Sequence, residues 1–322
     1  MKKIAVLTSG GDSPGMNACI RAVVRTALYH KLEIWGILRG YEGLMEAEFE
    51  QLDSKSVANI IHRGGTVLKT ARSKRFLTED GQKIAARHLK ERGIEGLITI
   101  GGDGTFRGAL ALSMHTDVQI MGCPGTIDND LVGTDFTIGY DTAINTVVDA
   151  VDKIRDTAES HERLFFVEVM GRDAGLIALR SGIGVGAEAI LIPETPTHME
   201  DLIRRLEGGR KNKSSKIVIV AEQENAGRAF GIAEKVKAHI PSYDTRVTVL
   251  GHIQRGGNPS CMDRVNASRM GFAAVEALME GRRGEMVGII DKQVRFTPFA
   301  DAVKHLEELD KNLMRMVEIL SL

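Results

Sequence analysis

Three cysteines in 322 residues, Cys19, Cys123 and Cys261, are too few and too scattered for a disulfide framework or a metal knuckle. They fit a reducing cytosol, so a cytoplasmic location is expected. No run approaches the ~18 apolar residues that cross a membrane. The opening stretch MKKIAVLTSGGD holds two lysines, but its apolar run is only IAVL. That is too short for a secretion signal and reads as a first buried strand. Net charge is −1, so the molecule has no overall field to draw in nucleic acid or anionic lipid, and neither is an expected partner. Any anionic ligand must be captured by local Lys and Arg. Low-complexity tracts and periodic arrays are absent too. What remains is a chain of ordinary soluble composition, longer than one hydrophobic core usually fills, and two lobes are expected.

Short β-rich runs recur along the chain: IAVL (4–7), GLITI (96–100), QIMG (119–122), LFFVEVM (164–170), AILI (189–192), KIVIVA (216–221) and RVTVLG (246–251). Helical stretches separate them. The clearest runs from Asp141 to Thr157, with Ile144, Val147, Val148, Val151 and Ile154 on one stripe. Strands alternating with helices imply parallel sheets covered on both faces, an α/β fold. The lobe boundary is expected near residue 140. KNKSSK (211–216) reads as a polar surface turn, and Asp301 to Leu320 as a last amphipathic helix.

Two stretches nearly repeat. TSGGDSPG (8–15) and TIGGDGT (99–105) both put Gly-Gly-Asp after a buried strand and before a helix. Glycine lets the backbone turn tightly and approach a ligand closely. The following helix offers unpaired N–H groups and a positive dipole end. On neighbouring strands two such turns would cradle a polyphosphate; the plainer reading is two ordinary glycine turns. Neither is a Walker pattern or a full GxGxxG. PGTIDND (124–130) adds two aspartates, Asp128 and Asp130, with no base beside them. Aspartate of this kind often only caps a turn.

Taken together and in this order, GGDSPGMN (10–17), GGDGT (101–105), PGTIDND (124–130), MGR (170–172) and LGHIQRGGNP (250–259) resemble the bacterial ATP-dependent 6-phosphofructokinases, over residues 1 to about 300. The resemblance implies two Rossmann-like lobes. One binds nucleotide, residues 1–140 with about 252–300. The other binds sugar phosphate, residues 141–251 with 301–322. It implies transfer of the terminal phosphoryl group of ATP to the 1-hydroxyl of fructose 6-phosphate, with Mg²⁺ as cofactor and ATP as co-substrate. Asp128 becomes the general base and Asp130 a residue that orients the site. Arg72 and Arg172 complete the catalytic set. Gly11, Arg72, Ser73, Gly102, Asp103, Gly104 and Thr105 line the nucleotide, with Asp103 on the metal. Thr126, Ile127, Asp128, Arg163, Met170, Gly171, Arg172, Glu222, Arg246, His252, Ile253, Gln254 and Arg255 line the sugar phosphate. Arginine forks suit a phosphate dianion, whereas Glu222 suits sugar hydroxyls. Arg163 and Arg246 are implied to reach a neighbouring subunit's site, which makes a homotetramer part of the catalytic apparatus.

The same resemblance implies an effector site for ADP or phosphoenolpyruvate at Arg21, Arg25, Arg155, Gly186, Ala187, Glu188, Lys211 and Lys213. This chain departs from that pattern at Ser54, Asn59 and Ser215, where charged residues, or a histidine, are expected. Arg21 and Arg25, four apart on a helix, also suit a solvated face. Ser73 stands where the family usually has Cys, and QENAG (223–227) departs from its glycine-led run. Pyrophosphate-using relatives carry Asp and Lys where this chain has Gly104 and Gly125, so ATP is the expected donor and pyrophosphate the alternative. GGDGT alone also resembles NAD kinase and lipid kinases, which lack the other motifs. A non-catalytic sensor would have lost Asp103 or Asp128.

Overall fold

The computed structural model describes residues 1–161, 163–208, 216–222, 227–302 and 311–320. The chain divides into two compact units. The first comprises Met1–Ile127, Leu131–Thr142 and the stretch that begins at Arg255; the second, Asp128–Asp130, Ala143–Gln254 and the last helix. The first unit opens with β1 (Lys3–Thr8), α1 (Met16–Tyr29), β2 (Glu33–Ile37), α2 (Gly40–Met45) and β3 (Phe49–Leu52). It continues with α3 (Glu79–Arg92), β4 (Gly96–Gly101), α4 (Asp103–Ser113) and β5 (Gln119–Pro124). Helix α5 (Tyr140–His161) leads out of it. The second unit holds β6 (Leu164–Val169), α6 (Leu176–Gly184), β7 (Ala189–Leu191), α7 (Met199–Gly208), β8 (Lys216–Ala221), α8 (Arg228–His239) and β9 (Thr245–Val249). Then α9 (Cys261–Met279), β10 (Glu285–Ile290) and β11 (Gln293–Pro298) return to the first unit, and α10 (Lys311–Leu320) belongs to the second.

The first sheet has seven strands in the order β11-β10-β5-β4-β1-β2-β3, parallel except for the two edge strands. Its interior strands are buried on both faces, and side-chain alternation sends neighbours to opposite cores. In β1, Ile4 and Val6 join a cluster with α1 and α9, while Ala5 and Leu7 join one with α3 and α4. The second sheet is fully parallel in the order β7-β8-β6-β9. Leu164 and Phe166 of β6 pack there with Val218, Val220 and the apolar faces of α7 and α8. The fold is therefore α/β with largely parallel sheets between helices.

Four strands lie outside the runs read from the sequence: β2, β3, β10 and β11. The polar turn expected at 211–216 ends in a strand residue, Lys216, and its other residues lie outside the described set. The terminal helix expected from Asp301 is described from Lys311; Asp301 and Ala302 instead turn back, both amides donating to Pro298 O at 2.9 Å.

The chain leaves β1 towards β2 and β3 on one side, then returns to place β4 on the other. That reversal is where open parallel sheets bind ligands. Ser9 N donates to Ile100 O at 3.0 Å, so the turns after β1 and β4 start side by side. A Cβ on Gly101 would fall 2.5 Å from Ser9 O and 2.2 Å from Thr105 Oγ1. Gly101→Ala is expected to lower stability by roughly 1–3 kcal/mol, the usual scale of overpacking; denaturant unfolding of the two proteins checks it.

Candidate active site

Three motif turns leave adjacent strand ends in the first unit. GGDSPG follows β1, GGDGT follows β4 and PGTIDND follows β5, with Gly125 N bonded to Gly101 O at 2.9 Å. Neither α1 nor α4 has a side-chain cap at its N-terminus. α4 thus begins between a pair of glycines, Gly102 at its N-cap and Gly104 in its first turn. A Cβ on Gly104 would meet nothing within 4 Å, and one on Gly102 only Thr126, at 3.6 Å or more. Thr105 Oγ1 donates to Ser9 O at 3.1 Å, tying the second turn to the first. Over the first turn lies Arg255, with Nη1 donating to Asp12 O at 3.3 Å and standing 2.8 Å from where a Gly11 Cβ would be. Arg72 is exposed in the loop after β3. Ser73 Oγ accepts from Phe76 N at 3.1 Å, which gives Ser73 a local capping task.

Asp103 stands in the first turn of α4 and accepts from Arg107 Nε at 2.9 Å. Among the described residues no group of three or more His, Cys, Asp or Glu could hold a metal. One carboxylate beside an open glycine pair fits Mg²⁺ completed by phosphate oxygens. A transition-metal or structural zinc site does not fit.

The segment 125–139 joins β5 to α5 and carries both aspartates of TIDND. Its far end is tied down firmly. Ile138 N donates to Pro124 O at 2.8 Å, and Thr137 Oγ1 to Thr126 O at 2.6 Å. Ser13 of the first turn donates to Ile138 O at 2.7 Å, and Gly139 N to Asp263 Oδ1 at 2.8 Å. Ser13 belongs to the GGDSPGMN motif, whereas Asp263 lies outside every motif singled out in the sequence.

In the second unit Asp128 is 2% exposed, with Arg172 Nε 3.5 Å from its Oδ2. Asp130 is buried as well. Arg172 itself is half exposed, with its backbone at φ +53 and its amide donating to Glu222 Oε1 at 2.9 Å. The preceding Gly171 has φ +138, and a Cβ there would lie 2.4 Å from Ala174 O. The MGR turn is thus forced open by a glycine that aims the arginine after it. Gln254 Oε1 accepts from Met170 N at 3.2 Å, so GHIQR is held to the same turn, with His252 and Ile253 exposed beside it.

Arg163 and Arg246 also meet, but elsewhere. Both donate to Asp244, Arg163 Nε at 2.7 Å and Arg246 Nη2 at 3.1 Å. They stand at the amino end of β6, whereas Met170, Arg172 and Glu222 stand at the carboxyl ends of β6 and β8. A strand of this length spans roughly 20 Å, so one sugar phosphate cannot touch both groups within a single chain.

Of the effector set, Arg21 and Arg25 lie on α1 in the first unit. Arg155 of α5 donates to Val185 O, beside Gly186 and Ala187, and Glu188 accepts from Ile217 N at 2.6 Å. Lys211, Lys213 and Ser215 lie outside the described residues. Asn59 has φ +56, a conformation asparagine adopts more readily than most residues.

The phosphofructokinase family model matches residues 3–278. An ATP-dependent 6-phosphofructokinase of Cytophaga hutchinsonii is 54% identical, covering all of this chain and 98% of the relative. ATP-dependent 6-phosphofructokinase 1 of Thermus thermophilus is 53% identical over the full length of both. Among solved structures, phosphofructokinase from Pichia pastoris has a TM-score of 0.88 at 34% identity over 99% of this chain, which spans 37% of that longer one. A pyrophosphate-dependent phosphofructokinase from Marinobacter aquaeolei has a TM-score of 0.85 at 22% identity, covering 99% of this chain and 91% of that one, and so shares the fold. With its three glycine and aspartate turns on adjacent strand ends and this family match over most of its length, the chain belongs to the phosphofructokinase family.

Proposed function

We propose that the chain transfers the terminal phosphoryl group of MgATP to the 1-hydroxyl of fructose 6-phosphate, giving fructose 1,6-bisphosphate and ADP. The observation that carries this reading is the 53% identity, over both full lengths, to a protein named an ATP-dependent 6-phosphofructokinase. A sugar hydroxyl is a poor nucleophile and needs a proton acceptor in the transition state. Asp128, a buried carboxylate beside the Arg172 guanidinium, is that acceptor. Asp130 supports the same turn. Phosphoryl transfer rests on positioning and charge stabilisation more than on covalent help. Backbone N–H groups at the start of α4, with Gly11, Gly102, Gly104 and Thr105, bind the phosphates, and Arg72 and Ser73 complete the nucleotide contacts. Asp103 would hold Mg²⁺, which when bound supplies positive charge to the phosphate oxygens. Glu222 and the Met170–Arg172 turn hold the sugar, with Thr126, Ile127 and the His252–Arg255 stretch.

Arg163 and Arg246 serve the site of a second copy, since they cannot reach their own chain's Glu222 end. A cytoplasmic homotetramer is part of the proposal, with Arg21, Arg25, Arg155, Gly186, Ala187, Glu188, Lys211 and Lys213 receiving ADP or phosphoenolpyruvate. The pyrophosphate reading is the weaker one. Gly104 opens onto free space, and an Asp there would place a charge against the inner part of a nucleotide. Gly125 has a second reason to be glycine: a Cβ would lie 2.9 Å from Met16 Cε and 3.1 Å from Ile100 Cγ2.

Phosphorylation of fructose 6-phosphate measured with ATP and with pyrophosphate, each with and without ADP and phosphoenolpyruvate, tests the whole reading; turnover with pyrophosphate alone would overturn it. Asp128→Ser is expected to cut kcat by ~10²–10⁴ with ATP binding retained, the scale for loss of a general base. Gly104→Asp is expected to raise the KM for ATP well above any change for the sugar, and equal ATP kinetics would remove the donor argument.

A further inference from the structure

Asp263 is a buried carboxylate that the reaction above does not use. It sits three residues after Ser260, the residue that caps α9 through Asp263 N at 3.1 Å. A side chain at that position would ordinarily turn back to its own helix. This one does not. Oδ1 accepts from Gly139 N at 2.8 Å, and Oδ2 accepts from Thr142 N at 2.8 Å and from Thr142 Oγ1 at 2.5 Å. A carboxylate from α9 therefore caps the N-terminus of α5, where both the donors and the dipole favour a negative charge. Thr142 Oγ1 in turn accepts from Ser260 N at 2.9 Å, and Ser260 Oγ donates to Asp141 Oδ2 at 2.6 Å. The residue it grips, Gly139, ends the 125–139 segment that carries Asp128.

We propose that Asp263 is a positioning residue for phosphoryl transfer: its ionised carboxylate locks the end of the base-bearing segment to α9, and its protonation releases that lock. The inference rests on the kinase reading above. A protonated carboxyl loses its charge and gives one of its roughly four acceptor sites to its own O–H, so its bonds to the three donors lose their charge assistance and weaken. Burial lifts Asp263 from the usual 3.8 to about 6, against the pull of the Thr142 hydroxyl and the Gly139 and Thr142 amides; the nearby Asp141 adds to the rise. Among the described residues, Asp141 is the charged group that faces it from α5. From the first turn the facing residue is Gly15, which has no charge, and on its own helix Arg264 turns away to donate to Pro259 O at 2.8 Å. A folded-state value above the unfolded one means that the group's stabilising contribution is fully present below about 3.8 and is lost as pH rises through about 6. Activity runs the opposite way, rising as the lock closes over the same interval.

The test compares the full-length protein with Asp263→Asn and Thr142→Val from pH 5 to 8. The readouts are kcat, both KM values, thermal midpoint and hydrogen exchange of residues 126–142. Asp263→Asn is expected to lower kcat by roughly 10- to 100-fold, the scale of a small misplacement of a reacting group. Both KM values stay within about threefold, exchange in 126–142 rises, and the acid limb near pH 6 disappears. Its thermal midpoint relative to the parent improves from pH 5 to 7, since Asn does not titrate. Thr142→Val removes one donor to the carboxylate and is expected to move the acid limb to higher pH, a change that simple loss of packing does not produce. A parent profile that is flat across pH 6, or a limb that neither substitution moves, overturns the proposal. An inactive parent whose 126–142 exchange still depends on pH and on Asp263 sinks the kinase reading and leaves the lock standing. An active parent whose kcat and exchange ignore Asp263 sinks the lock alone.

Discussion

Two backbone hydrogen bonds, Ser9 N to Ile100 O and Gly125 N to Gly101 O, continue the parallel ladder one step past the ends of β1 and β5, both onto the last residues of β4. Everything else in the first unit depends on that extra step. It puts the three motif loops into register before any side chain is considered. The hydroxyl of Thr105, the guanidinium of Arg255 and the hydroxyl of Ser13 then stitch loop to loop. The two backbone contacts do not depend on loop side chains, so the turns hold their register whatever Asp103 and Asp128 contact.

Three helix starts are closed by carboxylates from other elements. α5 is capped by Asp263, α6 by Glu194 through Gly175 N at 2.6 Å, and α8 by buried Glu168 through Ala229 N at 3.1 Å. Each cap comes from a distant strand, loop or helix and brings a negative charge to a positive helix end. α1 and α4 start at glycine N-caps, which offer no side-chain cap, and follow the two Gly-Gly-Asp turns. A helix that starts at glycine without a side-chain cap is the kind of end that suits an incoming phosphate.

Much of this architecture was legible in the sequence because parallel interior strands are written as continuous apolar runs. GLITI and KIVIVA coincide with β4 and β8 to within a residue. β2 and β10 escaped notice because each carries a glycine in mid-strand. Gly36 makes way for Leu68, and Gly288 for the backbone of Gly133, whose oxygen would lie 1.9 Å from a Cβ. β3 and β11 are edge strands with the weaker alternating pattern. At the site, motif order could say which turns to watch, and the sheet order explains how they come to be neighbours. It could not disclose Asp263. Locally that residue reads as the third position of a Ser-x-x-Asp helix start, and its partners lie more than 120 residues away. Nor could spacing reveal that Arg163 and Arg246 share Asp244 at the opposite end of β6 from Glu222; that follows only from the pairing of β6 with β9.

The two glycines that bear on the phosphoryl donor are not equivalent neighbours of the site. Gly104 looks onto open space, while Gly125 is pressed between the ends of Met16 and Ile100 in the core beneath it. A lineage drifting from one donor to another therefore meets two different obstacles. At 104 a larger side chain meets no neighbour and any cost is to the nucleotide, whereas at 125 the end of Met16 and a methyl of Ile100 must also shift. The same donor switch is thus a matter of charge alone at one loop and of repacking as well at the other.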